Sequence, residues 1–389
     1  MNCFKITGYN FFIIISISFV INQGIPDLRY KQASALAGTK LYFFGGWFTT
    51  TTASPEVWYL DLSNSLNTTT LTWYNDATMP LGYIYGSACV SPIDNTTVYL
   101  IGGRMFNLNV QHFYYASEFS IFNSNASQSR AKWQYLNVNG NTNLFYKRDG
   151  MQAVFNNEKI FIYGGSNFSV DHPSLDQLFG DMNVLDTTTM LWLPLESSVY
   201  SSAAYTATLL PNGQIIYIGG LTNVSSGYAK MSEVQIFDTI FLNWFNKCVS
   251  GDSIGARLGH SAVLSHDKSI IIYGGSYGIN NTQVFPDTAI LNIKTWRWST
   301  PNISQVNAPP PLTFHSATIY NNYMIIAFGL ITNVENQTFS NKIYILDTQN
   351  YTWVTAISFN SSNLNRLSTE NNFMRIEAYI LIGIIVFIY

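Results

Sequence analysis

The sequence predicts an all-β repeat protein, a six-bladed β-propeller with four antiparallel strands per blade. Three observations predict it. A short apolar run ending in glycine recurs six times, at intervals of 57, 62, 55, 55 and 54 residues. An Asp or Asn and then a tryptophan follow each run, and a short strand rich in Ala and Ser precedes it. A chain of 389 residues would ordinarily divide into two or three domains. A repeat architecture uses that length as a single one.

The glycine runs come first. LYFFGG ends in Gly45 and Gly46, VYLIGG in Gly102 and Gly103, IFIYGG in Gly164 and Gly165, IIYIGG in Gly219 and Gly220, and IIIYGG in Gly274 and Gly275. The sixth, MIIAFGL, has Gly329 followed by Leu330 and reads as lacking its second glycine. No polar residue alternates within the apolar runs, so each is expected to be a strand buried on both faces. The glycines allow positive φ and close backbone approach at the strand end.

The next strand of each unit ends in a turn former. Asp186, Asp238 and Asp347 precede Trp192, Trp244 and Trp353 by six residues, and Asn292 precedes Trp298 by the same offset. Asp and Asn nucleate turns because their side chains accept hydrogen bonds from nearby backbone amides. The tryptophan then gives the outermost strand a large apolar face for the neighbouring unit. In the first two units Asp61 and Asn123 stand twelve and ten residues before Trp73 and Trp133, with polar hairpin insertions between. Ahead of each glycine run lie SALAG, SACVS, MQAVF, YTATLL, HSAVL and HSATIY, whose small residues suit an innermost strand near a crowded axis.

This order of apolar run, Gly-Gly, Asp and Trp resembles the kelch repeat, and ARLGH, with Arg257 and His260, resembles that family's R-x-x-H opening. The resemblance covers residues 25–357 as one six-bladed kelch propeller. It implies a fold more than a function, since such propellers serve many roles. The simplest closure completes all four strands of blade one locally, from Tyr30 to Trp73.

The segments after the glycine runs leave the same strand at the same end, so they are expected to share one face. They are long, where a regular blade needs only a few residues, and long loops on a rigid scaffold usually carry binding. Candidate ligand-binding residues there are Trp47, Arg104, Phe106, His112, Tyr114, Phe168, Phe179, His172, Tyr228, Tyr277 and Phe285. The plainer alternative is that these aromatics hold the loops down on the blades.

Residues 1–24 read as a signal peptide. Lys5 precedes an apolar core from Phe11 to Ile21, too short to span a bilayer, and small or polar residues lead to Gly24. Residues 358–377 form a polar linker before the hydrophobic tail at 378–389. That tail reads as a GPI-attachment signal, a truncated transmembrane segment, or an interfacial or buried strand. The expected location is the secretory pathway, ending outside the cell or on its surface. Sequons stand at Asn67, Asn95, Asn125, Asn167, Asn223, Asn280, Asn302, Asn336, Asn350 and Asn360. A chain this rich in Asn, Ser and Thr has about that many by chance, so their number does not argue for secretion.

Only 11% of residues are charged and the net charge is −3. With no basic run, nucleic acid is an unsuitable partner. Three cysteines, Cys3, Cys89 and Cys248, exclude a disulfide scaffold, and without a C-x-x-C pair a structural zinc site is not expected. Asp171, Asp176 and Asp181 share one loop and are candidate calcium ligands, although loop carboxylates are usually just solvated. The sharpest enzymatic reading comes from a distant resemblance to the propeller domain of galactose oxidase, a copper enzyme that needs two His and two Tyr, one cross-linked to Cys. His112, His172, His260, His266 and His315 are present, but His260 and His315 fall at equivalent repeat positions, which points to a structural role. Cys89 lies within its strand, and no residues remain for the companion domains of such oxidases. The expectation is a non-enzymatic protein- or glycan-binding module without cofactor or metal. A secreted copper-radical oxidase and an intracellular kelch adaptor are the alternatives.

Overall fold

The computed structural model describes residues 24–48, 52–115, 119–127, 132–136, 148–167, 177–223, 227–278, 280–332 and 338–358. The expected signal peptide and hydrophobic tail lie outside these residues, as does the linker beyond Ser358. Most described strands fall into six antiparallel meanders in chain order, with short two- and three-stranded sheets formed by the segments between and after their strands. Unit one comprises Ala33–Ala37, Lys40–Phe44, Val57–Asp61 and Tyr74–Asn75. Unit two comprises Ser87–Val90, Thr97–Ile101, Phe119–Asn123 and Trp133–Leu136. Unit three has Ala153–Asn156, Lys159–Tyr163, Met182–Asp186 and Leu191–Leu195. Unit four has Thr206–Leu209, Gln214–Ile218, Glu233–Asp238 and Asn243–Cys248. Unit five runs through Ser261–Leu264, Ser269–Tyr273, Thr288–Asn292 and Arg297–Ser299, with Ser250–Gly251 added in parallel at its edge. Unit six runs through Ser316–Tyr320, Tyr323–Ala327, Ile343–Asp347 and Thr352–Val354.

The second strand of each unit is the glycine run, and it is buried almost throughout. What it packs on is the neighbouring unit. The hydrophobic clusters straddle adjacent sheets: one joins units one and two, another units four and five, another five and six, and another six and one. The tryptophans take part. Trp133, Trp244 and Trp298 each donate their indole N–H to a carbonyl of the preceding unit at 2.7–3.0 Å: Ala77 and Glu196 just after its fourth strand, and Met231 just before its third. Burial of the ring and satisfaction of its polar edge are thus achieved together.

The Asp and Asn turns form by the expected bonds. Asp186, Asp238, Asn292 and Asp347 each accept backbone N–H groups two and three residues on, while Asp61 and Asn123 accept only the one two residues on. Where the second bond is missing, the connection is the longer insertion.

Each glycine pair has φ positive at both positions, 66° and 104° at Gly45 and Gly46 for example. The second glycine's N–H donates to a backbone carbonyl that leads into the next unit. Gly46 reaches Tyr83, Gly103 Arg148, Gly165 Ser202, Gly220 Arg257, Gly275 Leu312 and Gly329 Arg29, all at 2.8–2.9 Å. A Cβ on Gly45 would lie 2.1 Å from the Tyr83 carbonyl oxygen, so the first glycine is needed for this approach. In unit six the missing residue is therefore the first glycine, not the second. Phe328 takes its place at φ 62°, and Gly329 at φ 107° is equivalent to the second glycine elsewhere. The Phe328 ring packs on Phe43 and Trp73 of unit one.

Unit one is complete from its own residues. The last described strand, Ala356–Ile357, nonetheless pairs with Leu66–Asn67 inside the unit-one insertion. Buried arginines brace alternate units. Arg29, Arg148 and Arg257 are wholly inaccessible, and each donates to the carbonyl of the first glycine of its unit, Gly45, Gly164 and Gly274.

Candidate functional site

Segments leading into the inner strands lie beside the segments that follow the glycine runs. Gly82–Ile84 pairs with Arg104–Asn107, Ser202–Ala203 with Leu221–Thr222, and Leu312–Thr313 with Leu330–Ile331. Tyr30 and Trp47, Asp149 and Ser166, and Leu258 and Ser276 make the equivalent bridges in the other units. Both sets of segments therefore form one face. At its centre, one residue per unit adopts a left-handed backbone: Lys31, Tyr85, Gly150, Ala204, Gly259 and Phe314, with φ of 56°, 57°, 67°, 56°, 62° and 53°.

These six residues are joined head to tail. The N–H of Tyr85 donates to the carbonyl of Lys31, Gly150 to Tyr85, Ala204 to Gly150, Gly259 to Ala204, Phe314 to Gly259, and Lys31 to Phe314, at 2.7–3.0 Å. The circle runs in the opposite sense to the bonds of the glycine pairs. Glycine would adopt this backbone freely; a β-carbon there costs of order 1 kcal/mol or more. Lys, Tyr, Ala and Phe stand at four of the positions nonetheless, and Lys31, Tyr85 and Phe314 place large side chains at the opening. They surround a small axial cavity of ≈ 100 Å³.

Lys31 dominates this mouth. Its ammonium lies 4.2 Å from the Tyr85 ring centroid and 4.6 Å from Phe314, with Tyr30 and Trp47 at 5.7 and 5.9 Å. Tyr30 and Trp47 stack with planes 10° apart, and Phe113 packs against Trp47. Burial pushes the Lys31 amine down to about 8; the Asp149 carboxylate opposes this and the Arg104 guanidinium adds to it. Asp149 is wholly buried, ion-paired to Arg104 and hydrogen-bonded by the Ser166 hydroxyl at 2.7 Å. The indole N–H of Trp47 is buried with no acceptor among the described residues, an arrangement that costs about 1–3 kcal/mol where it persists.

Of the residues singled out in the sequence, Trp47 and Arg104 converge here. Phe106 does not present itself to a ligand: it is buried with Ile84 and Ala53 and packs on Phe113, holding the hairpin down. Phe179 is likewise buried, under the Arg148 guanidinium. His112 is exposed on the hairpin formed by Arg104–Asn107 and His112–Tyr115, whose backbone includes Tyr114. Tyr228 and Tyr277 form a separate stacked pair, centroids 4.3 Å apart, between the loops of units four and five. Phe285 is exposed beside them in sequence space, ahead of Pro286. Phe168 and His172 lie outside the described residues. Sequence reasoning missed Lys31, Tyr85, Phe314, Tyr30 and Asp149. The signal available was position: Lys31, Tyr85 and Phe314 stand just before Gln32, Gly86 and His315, where each unit enters its inner strand.

His260, His315 and Asp181 have other partners. His260 and His315 are buried, with Nε2 facing the hydroxyls of Thr206 and Ser261. Burial holds both imidazoles far below their usual range, His315 at about 3. Asp181 accepts from the Arg148 guanidinium at 2.7 and 3.0 Å, while Asp171 and Asp176 lie outside the described residues. Cys89 is buried and Cys248 exposed, and both are free thiols. Among the described residues, no three His, Cys, Asp or Glu side chains cluster as a metal site.

Comparison with known proteins places this architecture. The chain is 24% identical over 208 residues to acyl-CoA-binding domain-containing protein 4 of Arabidopsis thaliana, covering 50% of this chain and 29% of that protein. It is 25% identical over 224 residues to human Kelch domain-containing protein 3, covering 54% of this chain and 56% of the relative. The chain thus spans under a third of the first and about half of the second. Among solved structures it superposes on that of YjhT with a TM-score of 0.64 at 13% identity, over 86% of this chain and 99% of the other; at that identity the likeness is one of fold. The description KLHDC2/KLHL20/DRC7 Kelch-repeats domain matches residues 31–275 and 206–383, most of the chain, and the protein belongs to this kelch-repeat family.

Proposed function

We propose that the chain is a six-bladed kelch propeller, four strands to a blade, that acts outside the cell or on its surface as a non-enzymatic binding module. Its partner would be a protein docked on the loop face over the axial mouth. The observation that carries this reading is the Lys31 ammonium held among Tyr30, Trp47, Tyr85 and Phe314. Aromatic side chains and a cation clustered at the centre of a face are the composition of binding hot spots. Strained non-glycine backbone at three of those positions supports it, as does the unpaired indole N–H of Trp47. Protein binding also agrees with the kelch family to which the chain belongs. The hydrogen bonds linking each unit to the next, and unit six to unit one, support the blade count. The apolar N-terminal segment supports export.

The test is to express the full chain in a eukaryotic host and recover partners by proximity labelling at the cell surface. The same is done with Lys31→Glu and Trp47→Ala. Partners lost in both variants, with the protein still exported, support the reading. Retention of the chain in the cytosol with its leader uncleaved would overturn the location. Stoichiometric copper with peroxide release from sugar alcohols would overturn the non-enzymatic role.

A further inference from the structure

We propose that a second pocket, between units three and four, binds a single sugar ring. It is distinct from the axial mouth and does not depend on the reading of that mouth. Its volume is ≈ 220 Å³, below the roughly 300–1,000 Å³ of pockets for drug-sized ligands, so one ring is what it can hold. Tyr200 supplies its open aromatic side, backed by the buried Tyr163 and Tyr217, and Lys230, Glu233 and Gln235 its polar side.

The wall is rigid. The Tyr163 hydroxyl donates to the Tyr200 carbonyl at 2.5 Å, and Trp244 packs behind Tyr163 and Tyr217 with centroids 4.7 and 5.3 Å away. Tyr217 is 5% exposed and its hydroxyl has no hydrogen-bond partner, which leaves a polar group of the pocket lining unsatisfied. The polar side offers a carboxylate, an ammonium and an amide together. Neither Lys230 nor Glu233 forms an ion pair among the described residues. A ligand with one charge would meet a like charge there. A neutral polyhydroxyl ring satisfies donors and acceptors of both kinds at once, while its C–H face lies against Tyr200, the lining tyrosine that keeps exposed surface. Aromatic wall and mixed polar rim therefore select a sugar over an amine, a carboxylic acid or a purely apolar ligand.

Saturation-transfer NMR on the full chain tests this, with galactose, glucose, mannose and N-acetylglucosamine as probes and free amino acids as the contrasting set. At least one sugar is expected to show transfer. Ala229→Trp, which fills the pocket from its rim, should abolish it. Glu233→Gln should weaken it about tenfold, as loss of one charge-assisted hydrogen bond does, with an unchanged melting temperature. Lys31→Glu should leave sugar binding intact, which separates this site from the axial one. No transfer from any sugar overturns the proposal, as does transfer that survives in both Ala229→Trp and Glu233→Gln. Binding of amino acids in place of sugars overturns the ligand class.

Discussion

The amide of Gly329 donates to the carbonyl of Arg29 at 2.9 Å, so the last glycine of the repeat is bonded to the segment that opens the first unit. Its φ of 107° and the 2.7 Å that would separate an added Cβ from the Cβ of His315 leave no room for another residue. Gly329→Ala is expected to destabilise the protein by at least about 2 kcal/mol. Urea unfolding checks this; a change below about 0.5 kcal/mol would mean that the junction between the ends tolerates movement.

Phe328→Gly restores the glycine pair that the other five units carry, and the repeat pattern alone would expect it to stabilise. Relief of the left-handed backbone is worth about 1 kcal/mol. Against that, a fully buried ring packed on Phe43 and Trp73 and facing the Arg29 guanidinium is lost, at about 3–5 kcal/mol. The net expectation is a loss of about 2–4 kcal/mol, read from the shift in the urea midpoint.

Stability should fall with acid. His315 titrates at about 3 in the folded protein because it is buried, and His260 is lowered for the same reason with Arg257 and His315 adding to it. An unfolded imidazole titrates near 6.5. Their contribution is therefore complete above about pH 6.5 and is lost as pH falls toward the folded values. At pH 5 protonation of His315 in the unfolded chain costs about 2 kcal/mol relative to pH 7, and His260 adds to the loss in the same direction. Gln32 stands at the same repeat position in unit one and donates to the Ser316 hydroxyl at 3.2 Å, as the histidines face Ser261 and Thr206. The variant His260→Gln/His315→Gln should thus fold and lose most of this slope, measured by urea unfolding at pH 7 and 5.

Lys31 should behave in the opposite way to a structural residue. Its folded pKa of about 8 lies below that of an unfolded lysine, near 10.4. Between those values the unfolded chain holds the proton more tightly, so stability rises with pH through that window. Lys31→Met is expected to be at least as stable as the parent at pH 7 and to lose the pH-dependent gain. It should also lose its loop-face partner. Thermal melts at pH 7 and 9.5, beside a binding assay, separate the two effects; a less stable variant at pH 7 would assign Lys31 to the scaffold instead.

Much of the scaffold was legible because each unit encodes itself locally. The glycine pairs, the Asp and Asn turns and the tryptophans need only neighbours within their own few dozen residues. The turn bonds of Asp186, Asp238, Asn292 and Asp347 form where the sequence implied. The misplacement of the glycine lost from unit six came from aligning on the motif's end without the φ values that distinguish its two positions. The site was harder to read. Trp47 and Arg104 stood out by residue type, but Lys31, Tyr85 and Phe314 are separated by scores of residues and meet only around the axis. Phe106 looked like Trp47 on paper; the hairpin that buries one and leaves the other half-open is decided by strand pairing between Gly82–Ile84 and Arg104–Asn107.

The head-to-tail circle from Lys31 through Phe314 has an electrostatic consequence. Six peptide dipoles pointing tangentially in one rotational sense sum to almost nothing along the axis, unlike the aligned dipoles of a helix, which leave a partial charge at its end. The backbone of the mouth is therefore field-neutral toward an approaching molecule. The charges placed at the opening by side chains are those of Lys31 and of the Arg104–Asp149 ion pair. Exchanging Lys31 for glutamate would turn the summed charge of these three side chains from positive to negative without removing a backbone bond of the circle.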